Sequence, residues 1–390
     1  MRLRSMTTYV CDAYRTNWVF VRLETDDGCY GWGEATLEYR EHVVEEAIRY
    51  LEAGLADVEL HDIQAWWQRA YRDAYWRGGA VLTSALSAVE MALWDLKGKA
   101  LGVPVHQLLG GAVRQDVECY ANAWFAGATT PAEFAQRART ALDWGYRALK
   151  WDPFGSAFRS LDRAELRDAL AVVEAVATEV GHDASLIVEA HGRFEMPTAL
   201  RVARALEPFD LLWLEEPLIP GNLANAAELR SATATPIGLG ERLYTRWDFV
   251  EVFQRHAADV VQPDVSHVGG IWEARAVATI AEMWQIPFMP HNPSGPVAHA
   301  ATLQLAGCVP NFGLLETMAT DVPWRRDVVI DEPPIVAGRA AIPDRPGLGV
   351  ELDLEAMSRH PYVRHDLRHY SGDLTRIRPE DAVGLHEPSR

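Results

Sequence analysis

Residues 211–215 read Leu-Leu-Trp-Leu-Glu, a short apolar run that ends in a carboxylate. Runs of the same kind stand at 185–190 and 236–240, and stretches with helical spacing separate them. This alternation is typical of βα units around a parallel sheet. Five further runs bring the number to eight: residues 118–124, 146–151, 259–262, 286–290 and 312–316. The sequence therefore predicts an α/β fold built on a (β/α)₈-type barrel.

Six of the predicted strands carry an acidic residue or a histidine at or just after their last residue. From Glu189 onward these residues follow at intervals of 26, 26, 23, 27 and 25 residues. Such side chains should project from neighbouring strands at the C-terminal mouth, where barrel enzymes carry out their chemistry. One glutamate after an apolar run is more often a helix cap or a solvated residue. Six in order indicate a site: Glu189, Glu215, Glu241, Asp264, His291 and Glu316.

Three of these residues, Glu189, Glu215 and Glu241, end adjacent predicted strands and form an all-oxygen set. Such a set suits a hard cation that keeps positions open for water or substrate, and Mg²⁺ fits best, with Mn²⁺ as a substitute. A zinc site would favour histidine or cysteine ligands. Because three carboxylates repel one another, we expect the site to work only with the metal bound.

Asp264 and His291 end neighbouring predicted strands and are expected to form a hydrogen bond. An aspartate on an imidazole fixes its tautomer and raises its basicity, which makes a general base. His191 lies two residues after Glu189 and should point to the same side of the strand, where it can serve as an acid. For His291 alone, the alternative is a loop histidine with satisfied hydrogen bonds.

Lys150 and Asp152 end the second predicted strand. Lys150 is expected to neutralise a substrate carboxylate; the alternative is a strand-end lysine whose ammonium reaches solvent. Asp152 either orients Lys150 or caps the turn at residues 152–155, and we favour the turn.

The composition excludes several classes of partner. With 37 basic and 55 acidic residues, the formal net charge of −18 argues against binding to nucleic acid or an anionic membrane. No apolar run reaches the length that spans a bilayer, and residues 1–10 lack the core of a signal peptide. The four cysteines show no metal-ligand spacing. We therefore expect a cytoplasmic protein that captures an anionic small molecule with local charges.

The chain is predicted to have three parts. Residues 1–115 are expected to form an α+β capping domain, with a hairpin at 18–24 and 29–35 and its clearest amphipathic helix at 84–99. Residues 116–335 would form the barrel, and residues 336–390 would return to the capping domain and end in a solvated tail. Residues 12–18 and 71–79 are candidate lids. Trp18, Tyr75 and Trp76 would contact distal hydroxyls of the substrate, with interdomain packing as the alternative.

Motifs in order over nearly the whole chain resemble the mandelate racemase subgroup of the enolase superfamily. They are Gly31-Trp32-Gly33-Glu34, residues 92–99 (ALWDLKGK), Leu108-Leu109-Gly110-Gly111, Trp213-Leu214-Glu215-Glu216-Pro217, Gly240-Glu241-Arg242, Gln262-Pro263-Asp264 with Gly269-Gly270, and Pro346-Gly347-Leu348-Gly349.

The resemblance implies a role for each matching site residue. Glu189, Glu215 and Glu241 would be the Mg²⁺ ligands, and Asp264 with His291 the base dyad. Glu316 would bind the substrate's carboxylate, and Arg242 would be a further substrate contact. The resemblance also implies a homo-oligomer, from a dimer to an octamer.

Two departures narrow the expected reaction. Racemizing members carry Lys-x-Lys, whereas this chain has Lys150-Trp151-Asp152, which disfavours a racemase. Glu189-Ala190-His191 is similar to the acid-sugar dehydratases, although other members often have aspartate as the first metal ligand. Residues 150–155 and 191–194 look most like the gluconate and arabinonate dehydratases.

The resemblance therefore implies a sugar-acid dehydratase. His291 would take the C2 proton, Mg²⁺ and Lys150 would stabilise the enediolate, and His191 would protonate the departing C3 hydroxyl. The product would be a 2-keto-3-deoxy acid. A sugar-acid epimerase or lactone cycloisomerase of the same superfamily, and a non-catalytic binding protein, remain as alternatives.

Overall fold

The computed structural model describes residues 2–55, 59, 61–366 and 370–387. The chain opens with a three-stranded antiparallel sheet in the order β1-β2-β3, formed by β1 (Leu3–Asp12), β2 (Asn17–Thr25) and β3 (Tyr30–Glu34). Strands β2 and β3 are the predicted hairpin. Strand β1 was not predicted, because its Ser and Thr residues interrupt any alternation of apolar and polar side chains. Most of its positions are half-buried, which agrees with this weak pattern.

Helices follow this sheet: α1 (Glu41–Leu51), α2 (Ile63–Asp73), α3 (Ala80–Leu101) and α4 (Val105–Leu108), with a short 3₁₀ turn at Glu52–Leu55. Helix α3 is buried on nearly all sides, so the prediction of an amphipathic helix there is wrong. Its polar side chains Ser84, Ser87, Glu90 and Asp95 form buried hydrogen bonds instead of a solvent-facing side.

The Gly-Trp-Gly-Glu motif brings β3 against α3. A Cβ at Gly31 would overlap the backbone oxygen of Ala92, and a Cβ at Gly33 would overlap that of Ala88. Only glycine allows this approach of strand and helix. The glutamate that ends the motif, Glu34, then reaches the barrel.

The barrel contains seven strands with parallel neighbours. Its elements in order are β4 (Asp116–Asn122), α5 (Pro131–Asp143), β5 (Ala148–Trp151), α6 (Arg163–Val180), β6 (Ser185–Glu189), α7 (Met196–Leu206), β7 (Trp213–Glu215), α8 (Leu223–Ser231), β8 (Ile237–Leu239), α9 (Thr245–Arg255), β9 (Val260–Val261), α10 (Ile271–Met283), α11 (Pro296–Cys308) and β10 (Leu315–Met318). A 3₁₀ turn at Glu207–Phe209 follows α7.

All eight predicted runs have a counterpart in the barrel. Seven are strands, and the run at 286–290 contributes the single residue Phe288, which bridges Val261 and Phe312. Strand β10 pairs in parallel with β4 and closes the ring. Helix α5 begins with a capping box that Thr130 and Glu133 form around Pro131. The fold is thus a barrel of the (β/α)₈ type with an N-terminal α+β unit, as predicted.

Short elements follow the barrel: β11 (Thr320–Asp321), α12 (Arg325–Val328), β12 (Val329–Ile330), β13 (Ile335–Val336), β14 (Arg339–Ala341), β15 (Glu351–Leu352), α13 (Leu354–Ser358), a 3₁₀ turn at Leu374–Arg376, β16 (Val383–Gly384) and β17 (His386–Glu387). Strand β14 pairs with β4 of the barrel. His360 and Val363 bond Asp12 and Asn17 near the first sheet. The division at residues 115 and 335 remains a proposal.

The prediction of a solvated tail needs correction, although part of that tail lies outside the described residues. Arg378 is only 8% exposed, and Tyr370 donates a 2.7 Å hydrogen bond to the backbone oxygen of His191. The tail therefore folds back over the mouth of the barrel. Among the helices that the structure describes, none is long and apolar enough to cross a membrane.

Two buried glutamates of the N-terminal unit cap helices of the barrel. Glu34, at the end of β3, accepts hydrogen bonds from the N–H groups of Gly295, Val297 and Ala298 at the start of α11. Glu90 of α3 accepts from Ile271 and Trp272 at the start of α10. Since the first turn of a helix has unpaired N–H groups, these side chains join the two units by hydrogen bonds to those groups.

Candidate active site

Three glutamates meet at the C-terminal ends of adjacent strands. Glu189 ends β6 and pairs in register with Glu215 at the end of β7, and Glu241 follows β8 by two residues. One carboxylate oxygen of each lies within 4.8 Å of the others. Glu189 and Glu215 are 2% and 0% exposed. The strand spacing predicted from the sequence therefore brings the three carboxylates together.

The electrostatics of this triad are those of crowded, buried anions. Burial and the neighbouring Glu215 carboxylate raise the pKa of Glu189 well above its usual value. Burial alone would also raise the pKa of Glu241, but Arg242 and His291 lie beside it and lower that pKa to about 2. Glu189 Oε2 is buried and, among the residues that the structure describes, has no hydrogen-bond partner. An oxygen of this kind is suited to a metal ion.

Lys150 is the third residue of β5 and lies among these carboxylates. Its Nζ is 2.6 Å from Glu215 Oε1, 2.7 Å from Glu316 Oε1 and 3.6 Å from Glu189 Oε2. Burial lowers the pKa of Lys150, but Glu215 and Glu316 outweigh it and raise the pKa well above its usual value. The ammonium is therefore charged, and it offsets the charge of protein carboxylates before any substrate binds.

Glu316 lies behind Lys150, is 0% exposed and is not part of the cavity wall. Its Oε1 binds Lys150 and accepts from Asn122 Nδ2, and its Oε2 accepts from the N–H of Asn292. The contact between Glu316 and the substrate carboxylate therefore stays a prediction. Its hydrogen bonds position Lys150 and the segment that carries His291.

The expected dyad is present. His291 Nδ1 lies 2.8 Å from Asp264 Oδ2, and His291 Nε2 lies 3.1 Å from Glu241 Oε2. Burial lowers the pKa of His291, but Glu241 and the hydrogen bond to Asp264 outweigh it and raise that pKa to about 9. Glu241 is the main cause of this increase, so His291 would lose its proton at neutral pH and become a base when a metal ion neutralises that carboxylate. With Nδ1 held by Asp264, Nε2 is then the nitrogen that can take a proton at the cavity.

The backbone conformation that places His191 in the cavity was not predicted from the sequence. Strand β6 ends at Glu189, and His191 has a left-handed backbone with φ of 50°. Its position therefore comes from a turn and not from strand alternation. His191 Nδ1 lies 2.6 Å from Asp152 Oδ2. This pairing was not predicted. Asp152 closes the favoured turn, through a 2.8 Å hydrogen bond from Phe154 N–H.

These groups line a cavity of about 210 Å³. Of the predicted site residues, it contains Lys150, Glu189, His191, Glu241, Arg242 and His291. It also contains residues that were not predicted: Arg15, Glu38, Tyr39, Asn122, Pro293 and Tyr370. A larger cavity of about 520 Å³ between α8 and α9 shares Arg242 but holds neither the glutamate triad nor the histidines. We place the site in the smaller cavity because the reactive side chains meet there.

Three aromatic candidates do not line this cavity. Trp18 is 3% exposed and packs against Phe20 and beneath the Arg325 guanidinium, so the packing alternative describes it better. Tyr75 and Trp76 are 78% and 80% exposed and contact each other at the surface. Of the two candidate lids, residues 12–18 supply Arg15, whereas no residue of 71–79 lines the cavity.

Comparisons with known proteins agree with this geometry. The chain is 36% identical over 372 residues to the D-galactonate dehydratase of Variovorax paradoxus, covering 93% of this chain and 95% of that protein. It is 35% identical over 344 residues to the D-gluconate dehydratase of Thermoproteus tenax, covering 88% and 69%. The crystal structure of a mandelate racemase/muconate lactonizing enzyme from Sulfitobacter sp. superposes with a TM-score of 0.89 at 29% identity, covering 94% and 97%.

The similarity to these relatives shows that the chain is an enzyme of the dehydratase, or hydro-lyase, type. The predicted enzyme class is therefore confirmed. Residues 3–110 match the mandelate racemase / muconate lactonizing enzyme N-terminal domain, and residues 133–357 match the enolase C-terminal domain-like family. The chain, with its capped barrel and its strand-end carboxylates, therefore belongs to the mandelate racemase / muconate lactonizing enzyme family of the enolase superfamily.

Proposed function

We propose that this protein is a Mg²⁺-dependent dehydratase that converts a sugar acid into a 2-keto-3-deoxy acid. The substrate would be an aldonate such as gluconate, galactonate or arabinonate. One observation carries the proposal: a single cavity contains two imidazoles, His291 and His191, each bonded to its own aspartate, beside the glutamate triad. A dehydratase needs both a base for the C–H bond and an acid for the departing hydroxyl.

The residues fit a hard divalent cation. Glu189, Glu215 and Glu241 would hold it, since their oxygens converge and the buried Glu189 Oε2 has no hydrogen-bond partner in the described part of the chain. Carboxylate oxygens are the ligands that Mg²⁺ prefers, with Mn²⁺ as a substitute. When bound, the ion would supply positive charge that stabilises the negative charge developing on the substrate carboxylate.

The chain's own residues would move the protons. His291, held through Nδ1 by Asp264, takes the C2 proton with Nε2. The electrons of the C2–H bond pass onto the substrate carboxylate as an enediolate, and they then move into the C2–C3 double bond as the C3–O bond breaks. His191 gives its proton to the departing oxygen, which leaves as water, and the enol becomes the 2-keto acid. Each positioned proton transfer contributes roughly 10²- to 10⁴-fold to the rate.

The remainder of the wall suits a polyhydroxylated substrate. Arg15 Nη2 lies 2.5 Å from Glu38 Oε1, so hydrogen-bond donors and acceptors stand side by side. Tyr39, Tyr370 and Arg242 add further polar groups to the same wall. Vicinal hydroxyls, which both donate and accept, complement such a surface.

The test is incubation of the protein and Mg²⁺ with a panel of aldonic and aldaric acids, with semicarbazide to detect the 2-keto-3-deoxy product. We expect product from one or a few diastereomers, and none after EDTA treatment. Exchange of the C2 hydrogen with deuterated solvent but no product would point to an epimerase or lactone cycloisomerase. Binding without exchange or product would point to a binding protein.

We further propose that the enzyme works in the cytoplasm as a homo-oligomer. The family resemblance supports assembly, and the four unpaired cysteines suit a reducing compartment. Light scattering coupled to gel filtration should give a multiple of the 43.5 kDa chain mass. A single species at the chain mass would contradict the oligomer.

A further inference from the structure

The two histidines of the cavity are held by aspartates in the same way. Asp264 Oδ1 accepts a 2.6 Å hydrogen bond from the N–H of Ser266, two residues later, while its Oδ2 binds His291 Nδ1. Asp152 Oδ1 accepts a 2.8 Å hydrogen bond from the N–H of Phe154, also two residues later, while its Oδ2 lies 2.6 Å from His191 Nδ1. In each case one oxygen closes a local turn and the other holds an imidazole.

Asp152 is a fixed group. It follows β5, whose last residue Trp151 pairs with Val188 of β6. Asp152 and His191 therefore come directly after two neighbouring strands. Asp152 is 6% exposed. Arg193, which is 0% exposed, donates to the same Oδ2 and also to the backbone oxygens of Ala190 and Gly155. The carboxylate is therefore in place before a substrate arrives.

We propose that Asp152 is a positioning residue for the acid step and that it acts through His191. By binding Nδ1, the Asp152 carboxylate holds the ring so that Nε2 is the nitrogen that hands its proton to the departing C3 oxygen. The C3–O electron pair leaves with that oxygen as water, and His191 keeps its Nδ1–H on Asp152. This inference rests on the proposed dehydratase function.

The competing role for Asp152 is structural, as a turn cap and a counter-ion for Arg193. Asp152→Asn can keep the turn cap, but it removes the counter-ion of Arg193 together with the acceptor for His191, so the C2-exchange measurement has to separate the two roles. The amide oxygen of asparagine can still accept from Phe154 N–H, so the turn can be kept. Its amide nitrogen only donates, and it cannot accept a hydrogen bond from His191 Nδ1–H. The variant therefore removes the alignment of His191, whereas damage that acts through the buried Arg193 would reduce C2 exchange together with dehydration.

The experiment uses the sugar acid that the wild-type enzyme dehydrates, with Mg²⁺, in deuterated buffer. Product formation reports both proton transfers, and deuterium at C2 of recovered substrate reports the His291 step alone. We expect Asp152→Asn to lower kcat for dehydration roughly 10²- to 10⁴-fold with KM nearly unchanged, while C2 exchange persists. His191→Asn should behave alike, and the double variant should be no slower than His191→Asn.

Asp162→Ala is the matched control, because it removes the N-cap of α6 in the same connection between β5 and α6 without contacting the cavity. It should leave kcat within a few-fold of wild type. Unchanged dehydration in Asp152→Asn, or an equal loss of dehydration and C2 exchange, would overturn the positioning role. If the wild-type enzyme dehydrates no sugar acid, the proposed function itself fails and the inference fails with it.

Discussion

Lys150 places one ammonium group among three buried carboxylates. From the sequence, we expected this charge to meet a substrate carboxylate directly. In the structure, the Lys150 ammonium contacts the carboxylates of Glu215 and Glu316, and the Glu189 carboxylate lies slightly farther away. Such an ion cluster is costly to break from one side, because the remaining charges are left buried without compensation.

Lys150→Met keeps the stem of the side chain and removes its charge. We expect dehydration to fall by about 10²-fold or more, since a fixed positive charge beside the developing anion is lost. The Tm in EDTA should also fall, because breaking a buried ion pair costs about 3–5 kcal/mol, and Mg²⁺ should restore part of it. Thermal melts with and without Mg²⁺ measure this.

Lys97→Met serves as the control for Lys150→Met, because Lys97 binds the backbone oxygen of His61 away from the cavity. This variant should keep its activity. Equal activity in both variants, or a Tm that does not respond to the loss of Lys150, would contradict the role given to that ammonium.

His299 of α11 is a buried histidine with a lowered pKa. Burial lowers its pKa from 6.5 to about 4. Its Nδ1 lies 2.9 Å from Asn292 Nδ2, so a proton on Nδ1 would put two donors against each other. Asn292 also donates to Glu316, next to the lysine of the site.

The folded-state pKa of His299 lies below the unfolded value, so its contribution to stability is complete above pH 6.5 and is lost as pH falls towards 4. At pH 5 the loss amounts to roughly 2 kcal/mol. His299→Gln, which keeps an acceptor for Asn292, should flatten the fall in Tm between pH 7 and pH 5. The exposed His182→Gln should not. Parallel Tm profiles for His299→Gln and wild type would refute this reading.

At the scale of elements, the join between β3 and α11 links the N-terminal unit to the loop that carries His291. Glu34 crosses this join and is fully buried, and it accepts from three backbone N–H groups near the start of α11 and from Thr36. Helix α11 begins five residues after His291. The capping glutamate therefore fixes one end of the segment that holds the base.

Glu34→Gln should destabilise this join, because the amide nitrogen would face a backbone N–H and leave it unpaired. The expected cost is about 1–3 kcal/mol, measured as a lower Tm. The surface variant Glu251→Gln, which breaks an exposed pair with Arg255, should change the Tm much less. Equal Tm shifts in the two variants would contradict the capping role.

Helix α3 and His191 mark where sequence patterns fail at this scale. The spaced polar residues of α3 resemble a solvent-facing side, yet Ser87, Glu90 and Asp95 bond the backbone of other segments. Periodicity alone cannot distinguish a solvent-exposed polar face of a helix from a buried polar face. His191 reaches the cavity through a left-handed turn, which strand alternation does not describe.

At the scale of the whole molecule, the barrel was predictable because each βα unit repeats the same pattern, so that regular spacing brings Glu189, Glu215, Glu241, Asp264 and His291 to one mouth. The cover of that mouth was predicted only in part, since the candidate lid at residues 12–18 supplies Arg15. Arg15, Glu38 and Tyr39 come from the N-terminal unit and Tyr370 from the tail. These residues share no period, and their meeting depends on how distant segments pack.

The most direct test of the account is His291→Asn, assayed for dehydration and for C2 exchange in deuterated buffer with the substrate found by the panel. The account predicts that both activities fall by roughly 10²- to 10⁴-fold or more, while the folded variant still gains Tm on addition of Mg²⁺. Substantial dehydration by a folded His291→Asn enzyme would contradict the assignment of His291 as the base, and with it the proposed mechanism.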